Sequence, residues 1–242
     1  HFDERGFKRG QMPVLCLVKP RHVARIKDGA YDMLKGSWNE AWKEWLNPEE
    51  ITPTTFDQVT WQQGVSHAEY LNHANDLMQQ LQRGNLYEAN YCIDFFAEAA
   101  LSNPRDVWRK LYHKTKAPFA AYVECGPWHL MCAWPERYLK RSGNTVISQP
   151  IKGTARRSKD PGEDTLLKQQ LVNSRKERAE NVMIVDLVRN DLSRCALPGT
   201  VKVDELFGVH TFETVHHLIS TISCEVDASC DWVDLLKASF PM

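Results

Sequence analysis

The sequence predicts an α+β protein, a large and mostly antiparallel sheet system covered by helices. Two observations carry that reading. Long strand patterns of period two are interleaved with pairs of helices that carry their own caps. The turn Ser142-Gly143-Asn144 also sends the chain straight from one strand pattern back into the next, as antiparallel neighbours require.

Taken in order, residues 12–18 read as a buried strand and 37–46 as a short tryptophan-bearing helix. Two prolines and several threonines make 47–60 the linker candidate. Ser66-x-x-Glu69 is a capping box that opens a helix. Its apolar face is Tyr70, Ala74, Leu77, Met78 and Leu81, and Gly84 closes it. The alternation from Tyr87 to Phe95 predicts a strand. Its second face, Glu88, Asn90, Cys92 and Asp94, is too polar for a core, so it lines a cleft or meets solvent. Asn103-Pro104 starts another helix, with proline in the first position. Strands follow at 118–125, 128–134, 137–142 and 145–151, then helices at 162–173 and 175–193. The second of these helices has its own box, Ser174-x-x-Glu177. Strands at 200–204 and 214–226 complete the pattern, and 231–239 starts a last helix.

A chain of 242 residues is long enough for one large domain or two modest ones. Its 25% charged residues sum to a net −1 with both signs interspersed, which excludes the one-sided basic face of a nucleic-acid binder. Nor does it hold the run of about 18 apolar residues that crosses a membrane. The seven cysteines, Cys16, Cys92, Cys125, Cys132, Cys195, Cys224 and Cys230, form no Cys-x-x-Cys pair. They read as reduced thiols of a cytoplasmic protein and not as a zinc site. His1-Phe2 and Ser239-Phe240-Pro241-Met242 both look like cut ends.

Four places can carry chemistry. Lys152 sits before Gly153-Thr154 at a strand end, where glycine permits close backbone approach and threonine adds a hydroxyl donor. It is either an amine nucleophile, which needs desolvation or a nearby base, or a surface lysine after a hairpin. Glu177 and Glu180 stand one helical turn apart, a spacing that suits a hard divalent ion as well as a solvated acidic pair. Glu177 also fits as the capping acid of Ser174. His216 and His217 share a strand and point to opposite faces, so at most one of them serves a given site. Glu136 follows Trp134-Pro135, and the turn at 142–144 folds it back towards Lys152 at one end of the hairpin. There it is either an acid/base group or an exposed edge-strand acid.

In sequence order these pieces resemble a known family. They are Trp134-Pro135-Glu136-Arg137-Tyr138, Pro150-Ile151-Lys152-Gly153-Thr154, Arg178-Ala179-Glu180-Asn181 through Asp186 to Leu192, and Val215-His216-His217-Leu218-Ile219-Ser220. Together, over about residues 65–242, they resemble the chorismate-utilising enzymes. The lysine in Pro-Ile-Lys-Gly-Thr is similar to the branch that aminates chorismate at C4, where anthranilate-forming members usually carry alanine. The resemblance implies that fold, with sheets packed as a sandwich, a catalytic domain over 61–242 and an N-terminal remnant over 1–60.

It further implies Mg²⁺ as cofactor, with Glu180 a direct ligand and Glu177 a direct or water-mediated one. Lys152 is then the amine that adds at C2, Glu136 the acid/base at the C4 oxygen, and His217 the active-site histidine. Gly153 and Thr154 line the substrate pocket. Glu88 stands where amine-transferring members usually carry glutamine, among the substrate-binding residues. The implied reaction turns chorismate and ammonia into 4-amino-4-deoxychorismate for para-aminobenzoate and folate synthesis. A glutamine amidotransferase partner supplies the ammonia. The rivals are anthranilate synthesis and a non-catalytic relic of the fold. The family's pattern continues past Met242 with a second glutamate pair, so the chain is expected to be truncated and inactive by itself.

Overall fold

The computed structural model describes residues 20–27, 30–40, 60–97 and 103–240. The chain divides into two units, His1–Val107 and Trp108–Met242. Every strand pairing among the described residues is antiparallel. That is the α+β arrangement the sequence predicts.

The first unit holds a hairpin, β1 (Val23–Lys27) and β2 (Ala30–Lys35), that the sequence reading missed. An Asp28-Gly29 dipeptide stands between them and was the available signal. Gln62–Gln63 (β3) pairs with Phe95–Phe96 (β4). Between these two strands lies α1 (His67–Gln82), opened by the Ser66–Glu69 box with both of its hydrogen bonds formed. The expected strand from Tyr87 to Phe95 is not there. Only its last residue pairs, so Glu88 lies half-buried in irregular backbone instead of on a strand face. Alternation describes a side-chain pattern, but a strand also needs a partner to take its backbone groups. The expected strand at 12–18 and almost all of the 47–60 linker fall outside the described residues. Of the expected helix at 37–46, residues 37–39 are non-helical and most of the rest is likewise outside.

α2 (Pro104–Thr115) leads into the second unit. There β5 (Ala121–Cys125) and β6 (Trp128–Cys132) form a hairpin around Gly126-Pro127. The main sheet has five strands built around β11 (Val215–Glu225). One edge of β11 pairs with β10 (Lys202–Thr211), which is longer than the expected 200–204. The other edge is shared by β8 (Thr145–Gln149) and β9 (Ile151–Arg156), with β7 (Arg137–Ser142) outside β8. The single strand expected over 145–151 is therefore two strands laid end to end and broken at Pro150. Proline has no N–H to give a ladder, though its carbonyl still accepts from Ser220 N at 3.3 Å.

α3 (Pro161–Asn173) and α4 (Arg175–Ser193) follow, and α5 (Trp232–Ser239) is capped by Asp231. The buried positions of α4 are Asn181, Ile184, Val185, Val188, Asp191 and Leu192, the three-and-four spacing that lays one helical stripe on the sheet. Val146, Val185, Val188, Leu192, Ile222, Cys224, Val226 and Leu235 form the core beneath it. Ser174 Oγ accepts from Glu177 N at 3.3 Å, but the Glu177 carboxylate goes to Lys176 and does not close the expected box. No helix among the described residues is long and apolar enough to cross a membrane.

Candidate functional site

The local backbone at Lys152 decides the layout. His217 pairs with Thr154, and Ile219 pairs with Ile151. Two residues, Lys152 and Gly153, are thus set against the single Leu218, which is a β-bulge. Directly opposed residues share a face, so Ile151 and Thr154 lie on the His217 side. Leu218 and the space beside Gly153 lie on the opposite side, against Glu177 of α4. Gly153 adopts φ +99°, and a Cβ there would stand 3.1 Å from Glu177 Cβ and 3.2 Å from both Glu177 Oε2 and Leu218 Cβ. A Gly153→Ala substitution is accordingly expected to cost about 1–3 kcal/mol in backbone strain and to push Glu177 away. Thermal unfolding of the variant checks it.

The α4 side carries the two carboxylates. Asn181, fully buried, donates from Nδ2 to Leu218 O at 3.3 Å, and its Oδ1 accepts from Ser220 Oγ at 2.5 Å. Ser220 Oγ in turn accepts from Phe207 N, and the Arg178 guanidinium lies 4.6 Å over the Phe207 ring. This clamp sets the rotation of the helix, and hence where Glu177 and Glu180 point. Neither Asn181 nor Phe207 was read as a functional residue from the sequence. A polar side chain on the apolar stripe of α4 was the signal for the first.

Lys176 reaches both carboxylates, at 3.3 Å from Glu177 Oε1 and 3.2 Å from Glu180 Oε1. Glu180 and then Glu177 raise its ammonium above the ordinary lysine value. The pair therefore already converges on one cation, and its donors are hard oxygens of the kind Mg²⁺ takes, with water and substrate completing the shell. The residues fit such an ion as a partial set. Among the described residues no group of three or more His, Cys, Asp or Glu side chains gathers to hold a metal.

On the other side, His217 is 8% exposed. Its Nδ1 lies 2.9 Å from Thr154 Oγ1, the ring donates to the Gly153 carbonyl, and Phe212 meets it edge-on at 5.4 Å. Burial holds its pKa below the ordinary imidazole value against the opposing pull of the Gly153 carbonyl and the Glu136 charge. His217 is thus neutral at pH 7. A cavity of about 140 Å³ borders it, walled by Phe212, Ala133, Pro135 and Ala117. His216 faces the opposite way, with Nε2 3.1 Å from Asp164 and Nδ1 2.9 Å from Thr211.

Glu136 Oε1 accepts from Ile151 N at 2.8 Å, and its Oε2 accepts from Trp134 Nε1 at 3.2 Å. The hairpin therefore brings this acid to the backbone beside Lys152, and it borders a second cavity of about 320 Å³. So Glu136, Gly153, Thr154, His217 and Glu177 meet around the bulge, with Glu180 one turn further along α4. Glu88 lies apart in sequence, in the first unit.

A family model described as chorismate binding enzyme matches residues 8–242. The chain belongs to that family. Among curated proteins it is similar to aminodeoxychorismate synthase component 1 of Salmonella typhimurium, 38% identical over 202 residues that cover 81% of this chain and 44% of that protein. The protein of that name from Escherichia coli is 36% identical, over 82% of this chain and 44% of its own length. The chain thus spans less than half of these relatives. Among solved structures, anthranilate synthase component I from Streptococcus pneumoniae shares the fold, with a TM-score of 0.68 at 24% identity over 84% of this chain and 45% of that one. The menaquinone-specific isochorismate synthase of Escherichia coli superposes with a TM-score of 0.55 at 16% identity, over 81% of this chain and 46% of that one.

Proposed function

We propose that this chain belongs to an enzyme that replaces the C4 hydroxyl of chorismate by ammonia, giving 4-amino-4-deoxychorismate and water for para-aminobenzoate and folate synthesis. The observation that carries the reading is the bulge at Lys152-Gly153, whose glycine packs on Glu177 while its carbonyl accepts from His217. A lysine at such a junction has an acid at its backbone neighbour and a paired carboxylate site across the helix. The similarity to proteins named aminodeoxychorismate synthase component 1 supports the same reaction, and the word component supports a second subunit. We assign that partner as a glutamine amidotransferase delivering ammonia, and the location as the cytoplasm, in keeping with the six free cysteines among the described residues.

In this reading Glu180 would hold Mg²⁺ directly and Glu177 directly or through water, and the ion would supply positive charge to the ring carboxylate of chorismate. Lys152 Nζ, as the free amine, forms a bond to C2 as the C4–O bond breaks, with both double bonds of the conjugated diene shifting through C1, C6 and C5 towards C4. Glu136 gives its proton to the departing hydroxyl, which leaves as water. Ammonia then bonds to C4, the C2–N bond breaks, and the surplus proton returns to Glu136. One hard displacement becomes two easier ones. Thr154 and neutral His217 hold the bulge in place, and Gly153 lets Glu177 approach it. Glu88 is carried as a substrate-binding residue by the family pattern alone.

The test uses the whole protein with chorismate, Mg²⁺ and ammonium, and identifies the product by chromatography and mass. Aminodeoxychorismate is expected, with loss of activity on chelation. Glu180→Gln is expected to raise the Mg²⁺ needed by more than about 10- to 100-fold, the loss that removal of an outer-shell partner already brings. Anthranilate and pyruvate as products would overturn the C4 assignment.

A further inference from the structure

One carboxylate outside the site is tied to it by an unbroken set of contacts. Asp164, in the first turn of α3, has a side chain only 18% exposed. It accepts from Arg157 Nε at 2.9 and 3.1 Å and from Ser158 N at 2.8 Å, with His216 Nε2 3.1 Å away. Arg157 Nη1 donates to Phe212 O at 2.8 Å, and Arg157 N donates to Thr214 O at 3.3 Å. Phe212 N closes the turn onto Val215 O at 2.8 Å. The second path runs through His216 to Thr211, at 2.9 Å. Both ends of the β10–β11 turn are therefore anchored on the same carboxylate, and that turn carries the Phe212 ring that walls His217.

We propose that Asp164 is a positioning residue for His217, acting through Arg157 and the Phe212 ring. This rests on the reading of His217 as part of the chorismate site. Arg157 Nε shared between both carboxylate oxygens holds the planar guanidinium in place, so the carbonyl that Nη1 grips is held as well. The ring on that residue then excludes water from one side of the imidazole. The charge that acts on His217 is that of Glu136. Loss of Asp164 therefore reaches His217 through packing and hydration. The hydrogen bonds from Arg157, Ser158 and His216 hold the Asp164 carboxyl well below the usual carboxylate range, so the anchor stays ionised throughout the neutral range.

The experiment titrates His217 by NMR in the whole protein and in Asp164→Ala, Arg157→Lys and Phe212→Leu, alongside chorismate turnover. In each variant the depressed His217 pKa is expected to rise towards the ordinary imidazole value of about 6.5 as water enters. Turnover is expected to fall about ten- to a hundredfold in kcat with little change in KM. Ile222→Val, which loosens the core away from this chain of contacts, is expected to leave the titration unmoved. Should Asp164→Ala fail to fold, Arg157→Lys decides in its place. Parental His217 titration in the folded Asp164 or Arg157 variant overturns the proposal, including the case in which Phe212→Leu alone shifts it. If the parent itself leaves chorismate untouched, the reaction assigned above falls, and the titration still judges the positioning.

Discussion

Lys152→Ala is expected to lower aminodeoxychorismate formation on the order of 10³-fold while leaving the fold intact. Losses of that size or larger, up to about 10⁶-fold, accompany removal of a covalent nucleophile. The side chain leaves from a bulge whose backbone is held by other groups, namely Thr154 against His217 and Gly153 against Glu177. Alanine keeps the β9–β11 pairing and removes the amine with the stem that carries it. Lys152→Arg separates charge from chemistry, since a guanidinium keeps the positive charge but does not add to carbon at neutral pH. Both variants are expected to bind chorismate with similar KM and to fail at kcat. Unchanged product formation by the alanine variant would take the lysine out of the mechanism.

Ile222→Ala is expected to destabilise the second unit by about 2–5 kcal/mol, the usual range for truncating a buried aliphatic residue. Ile222 is completely buried in the middle of the central strand. It pairs with Val203 on one side and Ser148 on the other, and it packs in one cluster with Val185, Val188 and Leu192 of α4. Helices on one face and strands on both edges leave no neighbour free to collapse into the gap. Val203, directly opposite on the edge strand, is 39% exposed, and Val203→Ala is expected to cost far less. Denaturant midpoints at unchanged m-value separate the two. Since domains are stable by about 5–15 kcal/mol in total, the first substitution removes a large share of the margin.

Much of the architecture was legible because its signals are local. The Ser66–Glu69 box, the Ser142-Gly143-Asn144 turn and the apolar stripe of α4 act within a few residues, and each appears where the pattern put it. The placement of Glu136 beside residue 151 was also readable, because a hairpin of known turn and register fixes which residues end up together. The alternating stretch from Tyr87 failed, since nothing in those residues says which strand will pair with them. The Ser174 box half-failed for a related reason, because the Glu177 carboxylate found a better partner in Lys176 than in the cap.

By itself, then, the sequence determined the capped helices, the β7–β8 hairpin and the family, the first two through interactions spanning one turn of chain. Only the tertiary structure decided the backbone setting of Lys152. That depends on two residues of β9 being matched to one residue of β11, more than sixty positions away. Register between distant strands is settled by the packing of both faces at once. Helix α4 clamped by Asn181 and Ser220 on one side, and His217 held by Thr154 and Phe212 on the other, leave room for that one alignment.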